Sequence, residues 1–593
     1  VMNEGGRGAR AGRTPLDGLD PEQRAAATAA SPLMIIAGPG TGKTRTLTSR
    51  IAASVASGEI RPQSCLALTF TRRAAEEMRA RLAGTLGRRA ARITVTTFHG
   101  LGLLLLREHH QLAGLPPDVA VADEATVTQV AAELAGSPRA GRALLAAGQD
   151  RQPVRRVLAE RGLVDLAGLV ELPAALLAGQ PALAAGLRER WPWLSVDEYQ
   201  DIDATQYTLL RLLAGDGAGL TVIGDPDQAI YGFRGADVEF FLRFTADYPA
   251  AATVTLSTNY RSSPVIVTAA AQAIAPSSLV PGRLLRAATP DRGGGAGTII
   301  VHEAADPASE AAWVAEAIDR LLGGSSFHSL DSGRADGHGE PGIGLADIAV
   351  LYRADAQAAA LGQGLARAGL PFQKRTHDLL SRRPGVPEIV HELRLRDTPW
   401  PPGPGGPGGP GGPGGPDVPA RLRAAVHRLA AAAGPGRLTA ADLRTAGEVL
   451  APLARRCGDD LDRFCTDIAV GAEVDALDPR ADAISLLTLH AAKGLEFEVV
   501  FLAGCERGLL PLRLPGAPPG AGPDQAEERR LLFVGLTRAR RHLLLSCAAE
   551  RSRPGRTGPA GPSPFLAAID PALLDRSAPP RARRAASRQL RLL

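Results

Sequence analysis

The sequence predicts an α/β protein in which parallel sheets are covered by helices, with mainly helical insertions. Three observations predict it. Short apolar runs of strand length alternate with helix-like segments, as expected of parallel sheets with helical crossovers. The runs fall into two groups, one on each side of about residue 275: "LMIIA" 33–37, "CLALTF" 65–70, "WLSVDE" 193–198 and "LTVIGD" 220–225, then "DIAVLY" 347–352, "VVFLAG" 499–504 and "HLLLSC" 542–547. By contrast, 101–192 and 418–480 are rich in Ala and Leu with few strand signals, so both blocks read as helical insertions. At roughly 150 residues per domain, 593 residues allow about four domains. An apolar fraction of 45% with 22% charged residues is that of a folded chain rather than a disordered one.

Composition also narrows the function classes. No stretch approaches the ~18 to 20 apolar residues of a membrane span, and "VMNEGGRGARAGRTP" lacks the apolar centre of a signal peptide, so a cytoplasmic protein without membrane partners is expected. Cys65, Cys457, Cys465, Cys505 and Cys547 form no C-x-x-C pair, which argues against a disulfide scaffold or a zinc site. The net charge of +5 permits an anionic partner without demanding one. Of 67 Lys and Arg residues only Lys43, Lys374 and Lys493 are Lys, so each marks a place where a compact ammonium has survived a strong bias to Arg. For Lys374 chance survival suffices. Residues 401–416, "PPGPGGPGGPGGPGGP", read as a solvated linker, and 323–344 as a long polar loop. The C-terminal "RSAPPRARRAASRQLRLL" reads as a flexible basic tail.

The chemistry is concentrated in a few segments. "AGPGTGKT", Ala37 to Thr44, follows a strand and opens a helix, the context of a phosphate-binding loop. Gly38, Gly40 and Gly42, with Pro39 and Thr41 between them, let backbone N–H groups close round phosphate oxygens; Lys43 neutralises the outer phosphates and Thr44 offers a hydroxyl to Mg²⁺. Ala37 stands where the strict pattern has Gly. "VDEYQD" places Asp197 and Glu198 where a strand becomes a loop: Asp197 suits Mg²⁺ and Glu198 an attacking water, although an Asp-Glu pair alone is also an ordinary acidic turn. "VIGDPDQAIYGFRGAD" sets Gln228 after a strand and groups Tyr231, Phe233 and Arg234, which read either as a platform for stacking bases or as core. Arg261 and Arg538 are candidates for arginines that reach a γ-phosphate, but position alone does not select them among so many arginines. Lys493 precedes a strand beside Gly494, where it suits a phosphate of nucleotide or nucleic acid.

Taken in order, "LDPEQRAAA" at 19–27, "AGPGTGKTRTL", "LTFTRRAAEEMRARL", "TVTTFHGLGLLLL", "VDEYQDID", "VIGDPDQAIYGFRGAD", "LSTNYRS", "IAVLYR", "LTLHAAKGLEFEVVFLAG" and "EERRLLFVGLTRAR" resemble the UvrD, Rep and PcrA family of superfamily 1 DNA helicases. The resemblance implies two RecA-like P-loop NTPase motor domains: the first from 1–100 and 193–275, which binds nucleotide, the second from 276–379 and 483–550. It implies insertions at 101–192 and 380–482, the second containing the 401–416 linker, and a basic tail at 551–593. It further implies ATP and Mg²⁺ as cofactors, with ATP between the two motor domains. By resemblance Gln23 reads the adenine edge and Tyr260 stacks on the base; Lys43, Thr44 and Arg45 meet the phosphates and Mg²⁺; Asp197 holds the metal and Glu198 activates water. Gln228 resembles the γ-phosphate sensor, Arg261 and Arg538 the arginine fingers, and Glu496 the ribose contact. Phe70, His99, Tyr231, Phe233, Arg234 and His490 fall on positions that touch single-stranded DNA, with Phe233 where Trp is common.

The activity implied is an ATP-dependent DNA helicase moving 3′ to 5′ on single-stranded DNA, in repair or replication, at single-strand/duplex junctions and with repair or replication proteins as possible partners on the nucleoid. Both insertions are shorter than the family usually has, which leaves room for a single-strand translocase that strips proteins and unwinds only with a partner. A catalytically dead DNA-binding scaffold is opposed by Lys43, Thr44, Asp197, Glu198, Gln228 and Arg538. About 46 residues follow "HLLLSC", too few for a fused nuclease.

Overall fold

The computed structural model describes residues 14–146, 150–288, 298–323, 342–375, 380–394, 417–433, 438–471, 481–513, 524–551 and 561–576. The 401–416 linker, most of the 323–344 loop and residues 577–593 of the basic tail lie outside them. Two compact units divide the chain: the first takes residues 1–257 and 377–478, the second 258–376 and 479–593.

The first unit is built on strands β1 (Leu33–Ala37), β2 (Cys65–Thr69), β3 (Thr94–Thr97), β4 (Trp193–Val196), β5 (Leu220–Gly224) and β6 (Ala252–Leu256), in the order β3-β2-β4-β5-β1-β6. Every pairing is parallel. Because strand side chains alternate between faces, Leu33, Ile35 and Ala37 of β1 and Cys65 and Ala67 of β2 enter one core, with Leu47, Ile51 and Met78 from covering helices. Their neighbours Met34, Leu66 and Leu68 enter the other, with Phe98, Leu101 and Leu209. Helices on both faces leave β2 and β5 buried along their whole length, which is why they read as unbroken apolar runs.

The block after β3 is helical as expected, apart from a two-residue parallel pairing of Ala120–Val121 with Leu163–Val164. The later insertion supplies helices Val386–Arg394, Val418–Ala432, Ala440–Cys457 and Leu461–Val470 around a core of its own that includes Leu422, Leu450 and Phe464. It belongs to the first unit, to which Arg463–Glu76 (2.5 Å), Arg382–Glu124 (2.6 Å) and an Arg72–Asp467 ion pair tie it.

The second unit carries β7 (Ile299–Ala304), β8 (Ile348–Tyr352), β9 (Phe372–Arg375), β10 (Ile484–Thr488), β11 (Phe497–Leu502), β12 (Ala539–Ala548) and β13 (Leu574–Asp575), ordered β9-β10-β8-β11-β12-β7-β13 and again parallel throughout. Two expectations change here. The units part at Ser257/Thr258 rather than near 275, because helix Pro264–Ile274 packs on helix Gln525–Leu536, with Arg529 donating to the Ala273 carbonyl at 3.0 Å. The tail expected from 551 onward is ordered over 561–576: Ser563 donates to the Leu510 carbonyl at 2.5 Å and β13 extends the sheet beside β7. Composition suggested a tail because its arginines stand out, whereas Phe565, Leu566 and Ile569 are the residues that bury. All five cysteines are buried free thiols, and among the described residues no single helix is long and apolar enough to cross a membrane.

Candidate nucleotide and DNA sites

In an open parallel sheet, ligand-binding loops gather beyond the carboxyl ends of the strands. Three of them do so in the first unit, after the adjacent strands β4, β5 and β1. After β1 the chain turns through Gly38–Gly42, with Gly40 and Gly42 at φ 69° and 79°, a left-handed backbone that favours glycine. Thr41 folds back to donate its hydroxyl to the Gly38 carbonyl at 2.8 Å. Helix Lys43–Ser57 then starts from Gly42 with no side-chain cap, leaving its first N–H groups for another acceptor such as phosphate. Behind the loop, buried Arg50 donates to the Ala29 carbonyl (2.6 Å) and Thr221 Oγ1 (3.1 Å), locking this helix to the N-terminal helix and to β5.

The loop after β4 supplies the counter-charges. Lys43 Nζ stands 3.4 Å from Glu198 Oε1, and Thr44 Oγ1 donates to Asp197 Oδ2 at 3.4 Å. Burial pushes the Asp197 carboxyl above the usual range, the neighbouring Glu198 charge adds to this, and Lys43 opposes it. Glu198 sits at φ 51°. The loop after β5 brings Gln228 beneath the surface, its amide donating to Asp225 Oδ2 at 2.6 Å.

Gln23 lies against the Gly38–Gly42 turn rather than in solvent. Its Nε2 donates to the Thr41 carbonyl at 2.9 Å and its Oε1 accepts from the Asp20 N–H at 3.2 Å, completing a capping box with Asp20. Reaching a base edge would require these bonds to be exchanged. Arg45 is exposed and donates to the Gly18 carbonyl at 2.7 Å.

Of the residues expected to meet DNA, Phe233 is 64% exposed and Tyr231 half-buried, their ring centroids 6.3 Å apart, with the Arg234 guanidinium 6.0 Å and 5.8 Å from the two rings. The core alternative fails for Phe233. Phe70 packs edge-on against Phe98 at 5.9 Å, and His99 follows Phe98 at the start of its helix. Burial, and then the charge of Arg72, lowers the His99 imidazole to about 4.

The remaining candidates belong to the second unit. Tyr260 is 47% exposed. Arg261 Nε pairs with Glu496 Oε2 at 2.5 Å, and Glu496 also meets Arg540. Burial raises the Glu496 carboxyl, but Arg261 and Arg540 outweigh it and hold it below the usual range. Arg538 is 2% exposed; it donates to the Val534 carbonyl (2.8 Å), the Leu495 carbonyl (3.2 Å) and Thr537 Oγ1 (3.1 Å). This side chain is packed inside its unit. His490 and Lys493 are half-buried in the turn between β10 and β11. The sequence reading missed Gln200, Asp225 and Gly224, which connect the loops after β4 and β5; "VDEYQD" and "VIGDPDQ" contain all three, but nothing in their spacing shows that they touch.

Comparison with known proteins agrees with this arrangement. The family model for the UvrD/REP helicase N-terminal domain matches residues 19–146 and 146–249, and that for the UvrD-like helicase C-terminal domain matches 254–398 and 450–550. "ATP-dependent DNA helicase UvrD2" of Mycobacterium tuberculosis is 32% identical over 93% of this chain and 82% of its own. "ATP-dependent DNA helicase UvrD1" of the same organism is 32% identical over 95% and 87%. "DNA helicase II" of Escherichia coli K12 is 30% identical over 93% and 87%. With both family domains matched in order, and the Gly38–Gly42 turn, the carboxylates and Gln228 gathered at the carboxyl ends of one parallel sheet, the chain belongs to the UvrD/REP helicase family.

Proposed function

We propose that this protein is an ATP-dependent DNA helicase that moves 3′ to 5′ on single-stranded DNA and separates duplex during repair or replication. The observation that carries the reading is the convergence of Lys43, Thr44, Asp197 and Glu198 in one place, with Gln228 on the neighbouring loop. The names of the relatives, ATP-dependent DNA helicases among them, support it. In this reading Lys43 and the uncapped helix start hold the outer phosphates, Glu198 accepts the proton of the attacking water, and Gln228 senses the γ-phosphate. Thr44 Oγ1 and the Asp197 carboxylate are the hard-oxygen pair that Mg²⁺ takes, and the buried, only partly compensated charge of Asp197 fits a cation there. When bound, Mg²⁺ supplies positive charge to the phosphates as their bond breaks.

Tyr260 and Gln23 are the proposed adenine contacts, Glu496 the ribose contact, and Arg261 and Arg538 the γ-phosphate arginines, Arg538 only by exchanging the bonds to Val534, Leu495 and Thr537 that now bury it. Phe70, His99, Tyr231, Phe233, Arg234 and His490 form the proposed DNA track. The test is ATP hydrolysis with and without single-stranded DNA, beside strand displacement on duplexes carrying a 3′ or a 5′ tail. Stimulated hydrolysis with displacement from the 3′ tail alone is expected. Displacement from the 5′ tail would reverse the polarity, hydrolysis without displacement would leave a translocase, and no hydrolysis would leave a DNA-binding scaffold.

A further inference from the structure

Past β4 the backbone runs through Asp197 and Glu198 into a single turn, Tyr199–Asp201, which carries Gln200 back beneath the Glu198 side chain. Gln200 has no exposed surface. Its Nε2 donates to Glu198 Oε2 at 2.6 Å and, more weakly, to Asp201 Oδ2 at 3.3 Å. Its Oε1 accepts the Asp225 N–H at 2.9 Å, so one amide bridges the loop after β4 and the loop after β5. Asp225 then passes the connection on, accepting from Gln228 Nε2 at 2.6 Å and from the Asp227 N–H at 3.2 Å. Room for the amide comes from Gly224, where a Cβ would stand 2.2 Å from Gln200 Oε1.

We infer that Gln200 is a positioning residue: it fixes the Glu198 carboxylate and fastens it to the Asp225–Gln228 loop, so that the water-activating group and the γ-phosphate sensor are set together. The inference rests on the roles proposed above for Glu198 and Gln228. A free Glu side chain turns about three bonds, whereas here its two oxygens are held from different directions, Oε1 facing Lys43 at 3.4 Å and Oε2 held by Gln200. A neutral amide achieves this without adding a second cation beside Lys43. Its carbonyl end is equally specific, because the Asp225 N–H it satisfies is fully buried and would otherwise lose its partner.

The experiment uses the full chain and measures single-strand-stimulated ATP hydrolysis, the affinity of a fluorescent ADP analogue, and thermal melting. Gln200→Met keeps the volume but loses all three side-chain hydrogen bonds; Gln200→Glu keeps the acceptor for Asp225 and loses the donor to Glu198 and Asp201. Displacing a catalytic group by about 1 Å costs on the order of 10²-fold, so both variants should lose about that factor in kcat, with KM and ADP-analogue affinity within about threefold. A Gln200→Met protein with kcat within about threefold of wild type, beside an inactive Glu198→Gln control, would overturn the inference and leave the site reading standing. Full activity in Glu198→Gln would remove the base assignment beneath it. Loss of kcat, nucleotide affinity and melting temperature together in both Gln200 variants would mark a purely structural role and also overturn it.

Discussion

Replacing Phe233 by alanine separates the two readings that its sequence left open, because a base-stacking platform and a core residue respond oppositely. With 64% of its surface exposed, Phe233 buries little more than a third of the ring. Full burial of a Phe is worth ~1.5 to 3 kcal/mol, so the loss of this share costs about 1 kcal/mol or less. Phe241 provides the comparison: it is 1% exposed, its ring is 6.0 Å from that of Tyr199, and a Phe→Ala change in such a core costs ~3 to 5 kcal/mol. On DNA the order reverses. A stacked base is worth ~1 to 3 kcal/mol, so Phe233→Ala should raise the single-strand concentration for half-maximal ATPase stimulation by roughly 5- to 150-fold. Thermal melting, ATPase titration with oligonucleotide and hydrolysis without DNA together decide the case. A melting temperature that falls as far as that of Phe241→Ala, or an unchanged DNA titration, would refute the reasoning.

Lys43→Ala and Glu198→Gln should each lower phosphate release by about 10²- to 10³-fold without moving the melting temperature, since both side chains face the proposed phosphate site; comparable turnover in either variant would remove it from the chemistry. Arg551 joins two carboxylates with almost no exposure, Glu310 at 2.5 Å and Glu506 at 2.7 Å, so Arg551→Met should destabilise the second unit by ~3 to 5 kcal/mol, read by chemical denaturation. His99 gives a pH test. Its folded-state pKa of about 4 lies below the usual 6.5, so the unfolded chain binds the extra proton, and stability present above pH 6.5 drains away as pH falls towards 4. The full shift corresponds to ~3 kcal/mol, and because the residue retains some exposed surface, ~1 to 2 kcal/mol is expected. Denaturation midpoints of wild type and His99→Gln, compared at pH 7 and 4.5, should show the variant losing less.

The expected α/β architecture was legible where burial acts on both faces of a strand. β1, β2, β4 and β5 are interior strands of the first sheet and therefore appear as short apolar runs. β3, "TVTT", and β6, "ATVTL", lie at its edges, where β6 is largely exposed and an apolar run is not required. The glycine-rich turn after β1 was legible because Gly40 and Gly42 answer to backbone conformation, which spacing records. Position alone did not distinguish Arg538 or Arg50 from the other arginines, and only the resemblance singled out Arg538, because what sets them apart is the set of carbonyls that tertiary packing brings to them. The division at Ser257/Thr258 was hidden for the same reason: helix Pro264–Ile274 is apolar enough to cover either sheet, and its partner lies more than 250 residues along the chain.

The Glu198 backbone draws these features into one arrangement. It is the one residue other than glycine with a positive φ among those described, at 51°. A left-handed residue with a Cβ costs roughly 1 kcal/mol or more, and such strain persists only where the surroundings over-determine it. Here the Asp201 N–H donates to the Glu198 carbonyl at 2.9 Å, while Gln200 and Lys43 hold the two carboxylate oxygens. Glycine at this position would remove the strain and the carboxylate together. An extended residue would carry the chain straight on from β4 and take Gln200 away from the end of β5. The left-handed turn turns the chain sharply enough for one short segment to put Asp197 beside Thr44, Glu198 beside Lys43 and Gln200 against Asp225. That contact spans 25 residues in sequence but joins adjacent strands, so its existence depends on β4 and β5 being neighbours in the sheet. The strand order, more than any motif, is what brings the Glu198 carboxylate and the Asp225 N–H within reach of the same buried glutamine.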